Sequence, residues 1–184
     1  MSKFFKGFAA AALAASALTA ANAADFDGTA SVEIVEAITV VSQESVDFGA
    51  VGSPSGSTGT VTITPSATTA TFATSGVTQF GTASQGSFTI TGAAGRNVQI
   101  AFLNGNEDIT LASAANAFDA VTNPTGNADE LDASLTLAEA GTQALDDGTD
   151  SDEHTFYVGG TLTIPDGAAQ DAYSGTFTVD VRYE

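Results

Sequence analysis

The chain has 184 residues, of which 22 are acidic and only four are Lys or Arg, giving a formal net charge of −18. Binding to phosphate groups requires clustered Lys and Arg, so nucleic acid is excluded as a partner and an anionic membrane surface is disfavoured. Cysteine is absent, which excludes disulfide bonds. A chain of this length buries about 70% of its extended surface and can build one core without them, so we expect a single domain.

The first 23 residues are typical of a secretory signal peptide. Two lysines precede an apolar run over about residues 7–20, and Ala21-Asn22-Ala23 fits the small-x-small cleavage pattern. The run is too short to span a membrane, so we expect export by the general secretory route and no membrane span after cleavage. Removal of residues 1–23 leaves two arginines and 22 acidic residues, a net charge of 2 − 22 = −20.

Residues 24–36 predict a separate N-terminal strand, because apolar and polar residues alternate until the phase slips near Ala37. Two interpretations remain open: the strand pairs within its own sandwich, or it is a donor strand that inserts into a neighbouring subunit. The sandwich domain is expected over residues 37–184. The candidate donor residues are Phe26, Gly28, Ala30, Val32 and Ile34, and the other side carries Asp25, Asp27, Thr29, Ser31 and Glu33.

The stretch VDFGAVGSPSGSTGTVTI, residues 46–63, contains the Asp-Phe-Gly triplet of protein kinases and a glycine-rich segment. A phosphate-binding loop needs a lysine after its glycines, and a kinase also needs a strand lysine and an H-R-D loop. Both lysines of this chain lie in the predicted signal peptide. We therefore predict no nucleotide site, with Phe48 in the core, Gly49 at a turn and residues 52–59 in a polar loop.

Apolar and polar residues alternate with period two through the rest of the chain, and helical periodicity is absent. Thr and Val are abundant in these runs, as they are in half-buried strands. Many short strands separated by Gly, Asn and Asp predict an all-β fold, an antiparallel sandwich. The predicted strands include TVTI, SFTITG, NVQIAF, ELDASLTLA, TFYVGGTLTI and GTFTVDVRYE.

Two pairs of these strands are predicted to be hairpin neighbours. Gly92-Ala93-Ala94-Gly95 is a good hairpin turn between SFTITG and NVQIAF, and PDGAAQDAYS joins the last two strands as a pair. The final strand alternates as well. One of its faces carries Phe177, Val179, Val181 and Tyr183, and the other carries Thr176, Thr178, Asp180 and Arg182.

An acidic cluster near residue 150 is a candidate calcium site, because calcium takes about six to eight oxygen ligands and closely spaced Asp residues supply them. The spacing does not match the D-x-[DN]-x-[DN]-G loop, so a solvated acidic loop is the alternative. A second candidate, NGNEDIT at residues 104–110, is weaker, and no other cofactor is expected. The cluster consists of Asp146, Asp147, Asp150, Asp152 and Glu153.

The sequence offers little for catalysis. His154, the single histidine, follows the acidic cluster and is expected on an exposed loop, neither in a Ser-His-Asp arrangement nor in a zinc site. The chain has no G-x-S-x-G motif, no cysteine nucleophile and, after cleavage, no lysine for a Schiff base. Paired carboxylates could hydrolyse glycosides, but 22 acidic residues produce such pairs by chance. We therefore expect that the protein is not an enzyme.

An ordered set of features runs along the chain: a signal peptide, an alternating N-terminal stretch, SVDFGAV, GTVTITP, GSFTITGAAG, YVGGTLTIP and DAYSGTFTVDVRYE. Together they resemble the bacterial secreted domains of domain-of-unknown-function family 4402. They are also similar to the wider group of fimbrial subunits, including the spore-coat-U-like pilins. The resemblance implies an incomplete immunoglobulin-like sandwich that a neighbour's N-terminal strand completes. It implies identical or related subunits, a periplasmic chaperone and an outer-membrane usher as partners.

The resemblance also assigns roles to residues. Residues 26–34 match the donor segment, and the apolar face of the last strand, Phe177 to Tyr183, matches the strand that a pilin chaperone contacts. The chain departs from the spore-coat-U-like pilins in having no cysteine. The expected function is a non-catalytic subunit of a pilus-like surface fibre, which passes through the periplasm and assembles by donor-strand exchange. The alternative is a self-contained secreted sandwich that binds calcium or a surface glycan through its loops.

Overall fold

A computed structural model describes residues 31–105, 107–113, 130–145 and 152–184. Apart from one turn of 3-10 helix, the regular secondary structure within these ranges is antiparallel β-strand, as the alternation of the sequence predicts. Residues 35–184 belong to one compact unit. The predicted signal peptide lies outside the described residues, so its cleavage stays a prediction.

The strands of the described residues form two sheets, and one turn of 3-10 helix, Leu103–Gly105, follows the fifth strand. We number the strands in chain order. They are β1 Thr39–Glu44, β2 Gly59–Thr64, β3 Thr71–Ser75, β4 Gly86–Thr91, β5 Asn97–Phe102, β6 Asp108–Ser113, β7 Glu130–Leu137, β8 Gly141–Ala144, β9 Glu153–Ile164, β10 Tyr173–Ser174 and β11 Val179–Tyr183.

The longest strand, β9, organises the large sheet, whose order is β1-β4-β9-β7-β6-β10. One side of β9 pairs first with β4 and then with β2, which carries β3, while the other side pairs with β7. The partner changes at Gly159 and Gly160. A Cβ at Gly159 would collide with the Ile63 carbonyl oxygen, and a Cβ at Gly160 with the Ser134 carbonyl oxygen. Glycine is therefore required where the neighbouring backbones approach β9.

The small sheet has the order β11-β5-β8. In the immunoglobulin arrangement, strands A, B, E and D form one sheet, and strands C, F and G form the other. Here β1, β4, β9 and β7 lie in the order A, B, E, D, and β5 and β11 take positions C and F. The predicted immunoglobulin-like antiparallel β-sandwich is confirmed by this order.

Side chains from both sheets form one core. Val98 and Ile100 of β5 are fully buried in the same cluster as Phe156 and Val158 of β9. In β7, buried and exposed residues alternate from end to end, as the period-two pattern predicts. Each large apolar side chain buried in this way contributes at most about 1.5–3 kcal/mol to the free energy of unfolding.

The Asp-Phe-Gly triplet is a turn beside this core. Phe48 is only 8% exposed and belongs to the core cluster. Gly49 has a φ of 77°, and its N–H donates a hydrogen bond of 2.8 Å to the side-chain oxygen Oδ1 of Asp47. The predicted positions of Phe48 in the core and Gly49 at a turn are confirmed.

Both predicted hairpin pairs are wrong. The turn at residues 92–95 joins β4 to β5, but β4 lies in the large sheet and β5 in the small one. The same is true of β9 and β11. A short connection can cross between sheets as readily as it can close a hairpin, and the choice depends on which apolar faces meet across the core.

Replacement of Gly160 by Ala should destabilise the domain more than replacement of Gly95, although both glycines have positive φ. A Cβ at Gly95 would meet open space, so only the left-handed conformation costs about 1–2 kcal/mol there. At Gly160 the methyl group would also push β7 away from β9, and we expect a loss of about 4 kcal/mol. Urea unfolding of the two variants measures the difference, and equal losses would contradict the close-approach explanation.

Candidate functional site

The outer side of β11 is an open edge of the small sheet. β11 pairs with β5 from Val179↔Phe102 to Tyr183↔Val98. No strand of the described residues pairs with its other side. In an immunoglobulin sandwich, strand G lies on that side of strand F. The position of strand G is therefore not filled by any described residue.

The apolar face of this terminal strand is only partly covered. The four residues predicted to contact a chaperone come together on that face, where they pack against the core and yet remain half-buried. On the opposite face, Arg182 lies 3.2 Å from the Asp180 carboxylate. An added strand beside β11 could cover the apolar surface that is still exposed. The four apolar residues are Phe177, Val179, Val181 and Tyr183.

Phe177 holds the N-terminal end of this strand in an aromatic cluster. Its ring contacts Phe88 edge-on at a centroid distance of 5.9 Å and Phe102 at 6.2 Å. Phe88 in turn stacks on Phe156 at 5.3 Å. Pairs with these geometries are each worth about 0.5–1.5 kcal/mol beyond the area that they bury. The cluster joins the segment just before β11 to β4, β5 and β9, so it ties both sheets together.

Tyr183 holds the C-terminal end of the same strand through its hydroxyl group. The hydroxyl donates a hydrogen bond of 2.7 Å to the carbonyl oxygen of Glu36 and accepts one of 2.7 Å from the N–H of Ala93. A Cβ at Gly92 would collide with this hydroxyl, so the glycine leaves room for it. One side chain therefore connects the last strand, the β4–β5 turn and the chain that leads into β1.

Two of the five apolar residues of the candidate donor segment are described, and both side chains are exposed to water. The side chain of Val32 is 86% exposed and that of Ile34 is 91% exposed. Both therefore offer apolar surface that a partner could bury. Phe26, Gly28 and Ala30 lie outside the described residues, so their part in the segment stays a prediction.

Most of the predicted calcium cluster lies outside the described residues, namely Asp146, Asp147 and Asp150. The other two members, Asp152 and Glu153, are exposed at the start of β9. Within the described ranges, no group of three or more His, Asp or Glu could hold a metal ion. In the weaker candidate at 104–110, the described residues form the 3-10 turn and the first part of β6.

The prediction that His154 lies on an exposed loop is wrong. His154 is half-buried in β9, opposite Ile90 of β4. It has the same parity as Phe156 and Val158, which are buried in the core. The alternation of β9 thus extends to His154. This alternation in the sequence could have predicted that the histidine belongs to the strand.

A groove of about 920 Å³ is a second opening of the sandwich. Its apolar floor comes from the large sheet, and its walls are residues 46–53 and 168–173. The charged residues of its lining are Asp47 and Asp171, so the groove offers no cation to an anionic ligand. Sequence reasoning missed the groove because distant segments build it. The floor consists of Leu111, Leu131, Leu162 and Ile164.

Replacement of Tyr183 by Phe should reduce the free energy of unfolding by about 1–3 kcal/mol, because it removes two hydrogen bonds and leaves the ring in place. Exchange of the Ala93 amide hydrogen should accelerate at the same time. Tyr157→Phe is the control, since its hydroxyl makes no hydrogen bond to another described residue, and it should change stability by less than about 0.5 kcal/mol. Urea unfolding and hydrogen exchange measure both effects; an unchanged exchange rate at Ala93 would contradict this role of Tyr183.

The comparisons with known proteins identify a family but no function. No helix within the described residues is both long and apolar enough to cross a membrane. No curated protein and no solved structure matches the chain significantly. The family model described as Domain of unknown function (DUF4402) matches residues 38–183, a range that contains every strand from β1 to β11. The chain therefore belongs to the DUF4402 family.

Proposed function

We propose that the protein is an exported, non-catalytic structural subunit of a pilus-like surface fibre, and that subunits join by donor-strand exchange. The observation that carries this proposal is the open side of β11, with four half-buried apolar side chains next to it. The segment at residues 26–34 of one subunit fills the position of strand G in the next subunit. Main-chain hydrogen bonds and alternating apolar contacts hold it there.

The chemistry of the donor segment supports this pairing. Val32 and Ile34 expose most of their surface, and Phe26 shares their parity. Burial of each side chain in a neighbour contributes at most about 1.5–3 kcal/mol. Residues of the other parity include Asp25, Asp27 and Glu33, which stay in water and discourage pairing in the wrong register.

The open edge of β11 gives a reason for a chaperone before assembly. An uncovered strand edge with apolar side chains promotes uncontrolled pairing. A periplasmic chaperone that lends a strand to β11 would protect it, and an outer-membrane usher would then exchange that strand for the donor segment of the next subunit. No strand of the described residues lies beside β11, which leaves that position open to the strand of a chaperone or of a neighbour.

Replacement of Val32 by Asp tests the proposal. The carboxylate would enter an apolar groove, which is costly unless the charge is paired, so we expect the variant to lose polymerisation. Ser31→Asp is the matched control, because it adds the same charge on the wet side of the segment and should still polymerise. Sedimentation velocity and electron microscopy of the exported protein measure both variants. A synthetic peptide of residues 26–34 should keep the Val32→Asp protein folded.

Two results would contradict strand exchange. One is a wild-type protein that remains a stable monomer without chaperone or peptide, which is the behaviour of a self-contained sandwich. The other is equal polymerisation of the Val32→Asp and Ser31→Asp proteins, since the side chain of residue 32 would then not be buried in a neighbour.

Export requires a separate test, because the donor segment must have a free N-terminal end close to Phe26. Signal peptidase prefers small side chains at Ala21 and Ala23, so we expect cleavage after Ala23. Intact-mass measurement of the exported protein should give the mass of residues 24–184. A mass that includes Lys3 would overturn both the predicted cleavage and the mature charge of −20.

A further inference from the structure

The strand β3 forms another open edge. It belongs to the large sheet, whereas β11 belongs to the small sheet. It pairs with β2 through the register Thr60↔Ser75 to Thr64↔Thr71, and no other strand of the described residues pairs with it. All five of its residues are exposed. Its other row of main-chain N–H and C=O groups is therefore available for pairing.

Neither β3 nor its neighbour β2 carries a charged side chain. The Asp166 carboxylate accepts a hydrogen bond from the N–H of Gly56, three residues before β2, so it lies towards one end of this edge. Residues 48–95 contain no Asp, Glu, Lys or Arg, although the whole chain has 22 acidic residues. The sheet extends from β3 through β2 and β9 to β7, where Asp132 lies opposite Thr163. At 4.7–4.9 Å per strand, Asp132 is about 14 Å from β3, which exceeds the Debye length of about 10 Å at 0.1 M salt.

The apolar face of the sheet reaches this edge. Phe72 lies opposite Ile63, which is 1% exposed, and yet the Phe72 side chain is 47% exposed. Natural edge strands are usually protected by a charge, a proline or a bulge. β3, with the sequence TFATS, has neither charge nor proline, and its register with β2 is regular. By contrast, the edge strands β1 and β11 contain Glu44 and Asp180, and the other two edge strands, β8 and β10, are uncharged but shorter than β3.

We propose that the β3 edge is a second interaction surface and that its partner is β3 of a second copy of this chain. The two strands pair antiparallel about a two-fold axis at Ala73, so that the two large sheets become continuous. Phe72 of each copy then lies opposite Thr74 of the other, on the apolar face. This contact is independent of strand exchange at β11. If subunits form fibres by that exchange, the β3 contact would join two fibres side by side.

The charge distribution selects a second copy as the partner. A cationic partner would bind to acidic surfaces, and β3 has no acidic residue to attract it. Two copies of the exported chain, each with an expected net charge of 2 − 22 = −20, repel one another through those same surfaces. An uncharged edge is where two such copies can come into contact with the least repulsion. Higher salt screens the remaining repulsion and should therefore strengthen the dimer.

Sedimentation velocity on the full exported chain tests the contact. The protein used carries Val32→Asp and is supplied with the peptide of residues 26–34, so that it cannot polymerise by strand exchange. Dimerisation through β3 is then measured separately from the proposed function. We expect a monomer–dimer equilibrium that shifts towards dimer with rising protein and salt concentrations. Ala73→Glu in that background should weaken dimerisation about tenfold, because two carboxylates then face each other.

Two variants control for charge and folding. Ala138→Glu adds the same charge at an exposed turn after β7 and should leave dimerisation within about twofold. Ala73→Lys should also weaken the homodimer, whereas a mixture of the Ala73→Glu and Ala73→Lys proteins should form a heterodimer. Absence of a dimer at every concentration and salt level, equal dimerisation of the Ala73→Glu and Ala138→Glu proteins, or a mixture that stays monomeric would each overturn the proposal.

Discussion

The pairing of β9 on both sides is the constraint on which the rest of the sandwich depends. Within 12 residues this strand pairs with β4, β2 and β7. It can do so because Gly159 and Gly160 have no side chain where the backbones of β2 and β7 approach. The arrangement attaches the β2–β3 pair to the same side as β4 and β1. Among the described strands, the open edge at β3 therefore depends on the approach of β2 to Gly159, whereas the edge at β1 depends on its pairing with β4.

The two edges that we propose as contacts differ in chemistry, and each suits a different kind of strand. β11 presents half-covered apolar side chains and carries Asp180 and Arg182 on its other face. An alternating strand with a wet acidic side can cover those apolar groups. β3 presents an uncharged main-chain edge with one large apolar side chain, Phe72. A like-charged copy can approach that edge because little repulsion remains there.

The chain that leads into β1 is held at one point by the last residue of β11. The hydroxyl of Tyr183 binds the carbonyl oxygen of Glu36, two residues after Ile34. It also binds the N–H of Ala93, so that point is connected to the β4–β5 turn as well. The last residue of β11 thus holds the segment that leads into β1.

The sequence by itself determined the kind of structure: strands with period-two alternation, a buried Phe48, and one apolar face on the last strand. These are local properties, because side chains alternate across any strand and apolar residues avoid water. Only the tertiary structure decided which strands pair, since β4 and β5 could have formed a hairpin but lie in different sheets. It also placed His154 in β9 and gave β3 and β11 a partner on one side only among the strands that the structure describes. Pairing depends on which apolar faces meet across the core, and residues far apart in the chain supply those faces.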